Sequence, residues 1–430
     1  MSHQDLYQRH KAVMPNWVSL FYEEPIALDR GSGVRVTDAE GKEYLDFFGG
    51  ILTTMTGYGI PEVTDALHRQ ADKIWHSSTL YLIEPMIALA EKIAGLSGIP
   101  DAKVFFTTSG TEANDAALLL ATGFRRTNQI LAVRNSYHGR SFSTLSVTGN
   151  RFYSPTSFSP FQVSYLLGGS RLRGPLAGLS DDEYIRRGSE DLIDLLQTQT
   201  TGRPACLIAE PIQGVGGFAT PPDGYFGALK KILDESGTLY ISDEVQTGWG
   251  RTGSHFWGYE AHGVVPDLLT FAKGIGNGMA LAGVVGRAEI MDSLGASSIS
   301  TFGGSPIVSA VGLANLEYLL ANDLQHNALR QGGHIREVLE RTGKASEIVA
   351  DVRGKGLMIG VELCEPGTVV PSPAAANAVL EETKRRGLLV GKGGLAGNVL
   401  RIAPPLSIGD ADADEGAQIL AESIATVSGR

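Results

Sequence analysis

Five short, almost wholly apolar runs, at 104–106, 130–133, 206–209, 239–241 and 268–271, constrain this chain more than anything else in it. A strand with one wet face alternates apolar and polar residues, whereas a run that is apolar throughout must be covered on both sides. The stretches between the runs carry helical spacing, as in Ala113, Ala116, Ala117, Leu120, Ala121 and Phe124. This alternation predicts an α/β fold whose large domain is a mostly parallel sheet sandwiched by helices. At 430 residues the chain exceeds one ordinary core, and a second domain is expected.

After about residue 325 the pattern changes to a smaller α+β unit that includes 359–363 and 400–402. Residues 34–37 and 44–47 flank turn chemistry and read as a hairpin. Residues 1–30 read as an arm anchored by Trp17 and Phe21-Tyr22, and the Gly/Pro/Ser-rich stretch 154–190 as a long ordered loop. The expected divisions are 1–55 (arm and part of the small domain), 56–308 (large domain) and 309–430 (the rest of the small domain).

The formal net charge of −11 argues against a nucleic-acid partner, which needs a basic face. An anionic ligand must then be held by a local device. The two cysteines, Cys206 and Cys364, suit a reducing compartment. The first residues lack the apolar core of a signal peptide, and no apolar run approaches the ~20 residues of a membrane span. A cytoplasmic location is the expectation.

Polar residues collect where the apolar runs end, the place where α/β sheets bind ligands. Asp243 closes one run and Lys273 follows the next, although carboxylates and lysines near a core are rare unless paired. A pyridoxal-phosphate (PLP) site explains both: a lysine holds the cofactor as a Schiff base, and an anion keeps the pyridine nitrogen protonated. Taken one at a time, a helix-capping Asp and an unrelated surface lysine explain them better; taken together, they point to the cofactor. After 104–106, Ser109-Gly110-Thr111-Glu112 precedes a helix and suits either a phosphate cradle or a plain N-cap. Tyr137-His138-Gly139 offers a ring that covers a cofactor face or anchors a loop, and Glu210 is a second strand-end carboxylate. Other chemistries lack their motifs: Gly274–Gly278 is no dinucleotide fingerprint, neither Gly-Lys-Gly is a P-loop, and the histidines and cysteines lack metal-ligand spacing. No metal site is expected.

The ordered set Ser109-Gly110-Thr111-Glu112-Ala113-Asn114, Tyr137-His138-Gly139-Arg140, Glu210-Pro211-Ile212-Gln213-Gly214, Asp243-Glu244-Val245-Gln246-Thr247-Gly248, Ala272-Lys273-Gly274 and Thr301-Phe302-Gly303-Gly304 resembles the class III aminotransferases of PLP fold type I. Ser254–Gly258, 351–360 and 388–391 look most like the alanine–glyoxylate aminotransferase 2 branch. The resemblance implies that Lys273 bonds the cofactor and moves the substrate proton, that Asp243 pairs with the pyridinium, and that Gln246 reaches the ring hydroxyl. Ser109, Gly110 and Thr111 would hold the phosphate with Thr301 of a second subunit, so a homodimer is implied. Tyr137, with His138 beside it, would cover the ring, while Val245 and Glu210 would border and orient it. Arg401 would bind the substrate carboxylate, as a guanidinium fork does.

Two positions depart from relatives that handle ω-amino groups. Those carry Glu one residue after the Gln-Gly pair, where it pairs with the arginine; here the position is Val215. An arginine without that partner suits a small 2-oxo acid acceptor, pyruvate or glyoxylate, with an amine or amino acid as donor. The second departure is 49–59, where Thr53, Thr54, Thr56 and Tyr58 replace the usual residues of a pocket-bordering segment. Rival activities on the same scaffold are a 4-aminobutyrate-type transaminase using 2-oxoglutarate, an aminomutase and a decarboxylase.

Overall fold

A computed structural model describes residues 2–429. Its central sheet has seven strands in the order Ala102–Thr107, Ala282–Arg287, Leu268–Phe271, Leu239–Asp243, Cys206–Ala209, Gln129–Val133 and Gln162–Leu166. The last five pair in parallel, and only Ala282–Arg287 runs against both neighbours. All five apolar runs lie in this sheet, buried from both sides. Ile130, Ala132, Cys206, Ile208, Leu239 and Ile241 pack with the helix Gly110–Arg125 on one face. Leu131, Val133, Leu207, Ala209 and Tyr240 pack with the helices Asp181–Thr198 and Tyr225–Ser236 on the other.

The helix Gly110–Arg125 begins where extended Ser109 accepts a hydrogen bond from the Glu112 N–H at 3.2 Å, and it ends at left-handed Arg126. Its stripe Ala113, Ala117, Leu120 and Ala121 is buried, and small side chains there let the helix sit close on the strands.

The stretch 154–190 is more regular than a loop. Gln162–Leu166 is the sheet's edge strand, and Asp181–Thr198 is a helix that opens with Ser180 and Glu183 exchanging hydrogen bonds at 3.0 and 3.3 Å. The strand pairs on one side only, so its polar residues hide it. The helix's buried row Tyr184, Gly188, Leu192 and Leu195 is diluted by charged neighbours. The connection between them lies on the small domain, where Arg173 donates to the Val369 carbonyl at 2.6 Å and pairs with buried Glu362.

The expected hairpin gains a third strand, Leu28–Ser32, and Leu388–Leu389 joins it in parallel beside Glu43–Asp46. A further antiparallel sheet contains Val349–Lys355, Met358–Leu363, Val399–Ile402 and Gly391–Gly393. In the arm, Phe21 packs on Phe48 at 5.5 Å and Tyr22 is half-buried, but Trp17 stays exposed, with its ring 5.6 Å from the Arg140 guanidinium. Among the described residues no helix is long and apolar enough to cross a membrane.

Candidate active site

The carboxyl ends of the parallel strands open on a cavity of about 440 Å³. Ser109, Gly110, Thr111, Tyr137, His138, Glu210, Asp243, Val245, Gln246 and Lys273 all line it. Residues that the sequence spreads over 165 positions thus meet because each follows a strand.

At one end of the cavity stands the first turn of Gly110–Arg125. That helix's ladder begins with the Ala113 N–H on the Ser109 carbonyl, so the N–H groups of Gly110 and Thr111 precede it and are open to an anion. A Cβ on Gly110 would lie 3.1 Å from Val245 Cγ2 and 3.6 Å from Ala272 Cβ, so only glycine keeps the backbone accessible without displacing its neighbours. Glu112 does not crowd this seat. It turns back to accept from the Thr108 N–H at 2.8 Å, the Thr108 hydroxyl at 2.7 Å and Ser300 at 2.6 Å.

Asp243 is buried at the end of its strand. Its Oδ2 accepts from Asn114 Nδ2 at 2.8 Å and from His138 Nδ1 at 2.7 Å, and its Oδ1 accepts from the Val245 N–H at 3.2 Å. An ionised carboxylate only accepts, so the His138 proton sits on Nδ1. His138 Nε2 is buried without a partner. Asn114, which the motif contains without a role of its own, ties the group together: its Nδ2 also donates to the His138 carbonyl at 2.8 Å, and its Oδ1 accepts from Thr270 at 2.7 Å. The available signal was an amide on the otherwise apolar buried stripe of a helix.

Glu210 accepts from the Tyr137 N–H at 2.9 Å and from the Gly214 N–H at 2.8 Å, and so fixes both flanking loops. Burial pushes its carboxyl up to about 7; neighbouring His138 opposes this and Asp243 adds to it. The Tyr137 ring stands edge-on to Tyr153 at 5.1 Å, and burial raises its phenol above the ordinary value.

Lys273 follows Leu268–Phe271 with a left-handed φ of +50°. Burial depresses its ammonium below the usual lysine value; Asp243 opposes the shift, while Arg401 reinforces it. Among the described residues it forms no ion pair. The turn beneath it is fixed from below, because Asn315 Nδ2 donates to the carbonyls of Gly274 at 2.9 Å and Ile275 at 3.0 Å. Thr56 in turn donates to Asn315 Oδ1 at 2.6 Å.

The segment 49–59 therefore serves two ends. Gly50, Ile51 and Thr53 line the cavity, whereas Thr56 braces the lysine turn and Tyr58 donates to Asp46 at 2.6 Å. The division follows from four successive positive φ angles at 49–52, between 55° and 69°. This left-handed run turns the chain before Thr53, and for Ile51 the conformation is a strained one.

Arg401 is buried and stands behind Gln246, whose Oε1 accepts from its Nη2 at 2.7 Å. Its guanidinium also lies 4.7 Å from the Phe218 ring and 5.3 Å from Phe48. Burial lowers its pKa to about 10, which still leaves it charged at neutral pH. Among the described residues no carboxylate pairs with it. Thr301 is the outlier: it is exposed and outside this chain's cavity, although neighbouring Ser300 is tied to Glu112.

An unpaired amine, an anion seat on a helix end, a buried carboxylate and an orphaned imidazole nitrogen together fit PLP, which offers an aldehyde, a phosphate and a basic ring nitrogen. The Aminotransferase class-III family profile matches residues 20–424. The chain is 40% identical over 415 residues to the alanine–glyoxylate aminotransferase 2 homolog 2, mitochondrial, of Arabidopsis thaliana, covering 95% of this chain and 84% of that one. It is 36% identical over 435 residues to an alanine/serine racemase of Pyrococcus horikoshii, covering 98% and 90%. A thermostable (S)-enantioselective omega-transaminase from Thermomicrobium roseum superposes with a TM-score of 0.91 at 32% identity, covering 99% of both chains.

Proposed function

Since the chain belongs to the class III aminotransferases, enzymes of PLP fold type I that use pyridoxal 5′-phosphate, we propose that it moves an amino group from an amine or amino acid to pyruvate or glyoxylate in a ping-pong cycle. The observation that carries the acceptor is Arg401: a buried, charged guanidinium that no carboxylate of this chain neutralises, next to Val215. Gly393 brings the two together, because a Cβ there would touch both Arg401 Cδ and the Val215 carbonyl. A compact 2-oxo acid presents the carboxylate that such a site lacks.

When bound, the cofactor supplies an electron sink for the carbanion formed at the substrate carbon. The remaining tasks fall to side chains of this chain. Lys273 would be the covalent anchor and the group that moves the substrate proton, a task that burial helps by favouring its neutral amine. Asp243, held by Asn114 and His138, would supply the negative charge that a protonated ring nitrogen needs. Gly110 and Thr111 would bind the phosphate with their N–H groups, Ser109 caps that turn, and Tyr137 would cover the ring. Exposed Thr301 completes the phosphate seat of a second copy, so the functional unit is a homodimer.

The purified protein is expected to be yellow, with a visible band that borohydride traps and Lys273→Ala abolishes. An acceptor panel of pyruvate, glyoxylate and 2-oxoglutarate, each with several amines, then tests the substrate reading. A strong preference for 2-oxoglutarate overturns it. Activity without any acceptor points instead to racemase or mutase chemistry.

A further inference from the structure

Gln246 sits between the Arg401 guanidinium and the cofactor cavity. Its amide oxygen accepts from the Arg401 guanidinium at 2.7 Å, and both side chains are buried. Its amide also occupies the space that a side chain on residue 214 would fill, since a Cβ built on Gly214 falls 2.2 Å from Gln246 Nε2 and 2.5 Å from Oε1. Gly214 itself is fixed by its N–H bond to Glu210. The amide is thus wedged, and its orientation is set by chemistry: a guanidinium only donates, so the oxygen must face Arg401. The two N–H donors of Nε2 are left over, in a residue that lines the cofactor cavity.

We propose that Gln246 is a positioning residue shared by the carboxylate site and the cofactor site, so that a carboxylate docking on Arg401 is sensed at the cofactor ring through the Gln246 amide. This rests on the aminotransferase reading above. A neutral amide is the group that can do it. It holds the guanidinium in place without cancelling its charge, and it keeps donors for the electron-rich ring hydroxyl. A carboxylate arriving at Arg401 competes for the same N–H groups, and any rotation of the amide changes what Nε2 offers the ring.

Lys273 is faced by the charges of Asp243, Arg401 and Glu210, with His138 and Tyr137 also lining the cavity. Masking Arg401 therefore also acts on Lys273 directly through its charge. The test must separate this direct part from the part relayed by Gln246.

The visible band of the holoenzyme is titrated with pH, with and without saturating propionate, an unreactive carboxylate whose affinity is measured independently by calorimetry. In the wild type, propionate is expected to move the midpoint upward by at least about half a pH unit. In Gln246→Leu, propionate still binds but at least half of that movement is lost. A full shift in Gln246→Leu overturns the proposal, and so does wild-type protein that binds propionate with no shift. Should Gln246→Leu not load cofactor, Gly214→Ala displaces the same amide without changing its chemistry. A reduced shift there supports the relay, and an unchanged one overturns it. Failure of the wild type to bind PLP at all would instead remove the parent reading.

Discussion

Placing a glutamate at position 215 tests the acceptor assignment most directly. Val215 is half-buried, and its carbonyl accepts from the Gly394 N–H at 2.9 Å while the Arg401 stem packs on Gly393. A Val215→Glu carboxylate is expected to pair with a guanidinium that now has only an amide as its polar partner. The pair would form inside the protein and need no substrate. A charge-assisted hydrogen bond contributes about 1.5–3 kcal/mol, and an acceptor must displace at least one. The expected loss in kcat/KM for pyruvate and glyoxylate is thus about 10- to 150-fold. It should appear mainly in KM, because the bond is made on binding. A donor amine that carries no carboxylate never touches Arg401, and its half-reaction should change by less than about threefold. Steady-state kinetics on the three acceptors gives the first number, and single-turnover bleaching of the visible band gives the second. Equal losses on the two half-reactions, or an unchanged preference among acceptors, would show that Arg401 is not the acceptor's anchor.

Asn114→Ala leaves the Thr270 hydroxyl and the His138 carbonyl unsatisfied and takes a donor from Asp243, for an expected stability loss of about 3 kcal/mol; a thermal midpoint equal to wild type refutes the bridging role. Gly110→Ala forces Val245 or the first helix turn to move, so cofactor should dissociate measurably faster, with Val245→Ala restoring retention in the double variant. For Lys273 the sign runs upward: the unfolded lysine keeps its proton to about pH 10.4 while the buried one sheds it earlier, so the lysine's contribution to apo-protein stability increases with pH between those points. Lys273→Met should flatten that part of the stability–pH profile. Arg401→Gln removes a charge that depresses Lys273, so the pH midpoint for cofactor capture by the apo-protein should move up; a midpoint that stays put contradicts the assigned proximity.

The sequence announced the central strands, where the apolar runs 130–133, 206–209 and 239–241 are buried throughout. It concealed Gln162–Leu166, whose edge position tolerates polar residues, and Ala282–Arg287, whose two glycines fit beneath Phe271 and Leu268. Local chemistry named most of the cavity's lining because those residues follow strands. It could not show which side of a helix Asn114 faces, nor that Gln246 meets Arg401 155 positions away. Thr53 and Thr56 look alike in the sequence, and only the left-handed run before them decides that one borders the cavity and the other braces its floor.

The lysine's setting has a consequence for handling the protein at the bench. Lys273 lies in the connection between Leu268–Phe271 and Ala282–Arg287, neighbouring strands zipped together with Phe271 opposite Gly283. Backbone ladders and the Asn315 hydrogen bonds hold that connection in shape. Once the Schiff base to Lys273 is released, cofactor analogues should accordingly be interchangeable without a refolding step, and amides on both strands should resist hydrogen exchange equally in loaded and stripped protein.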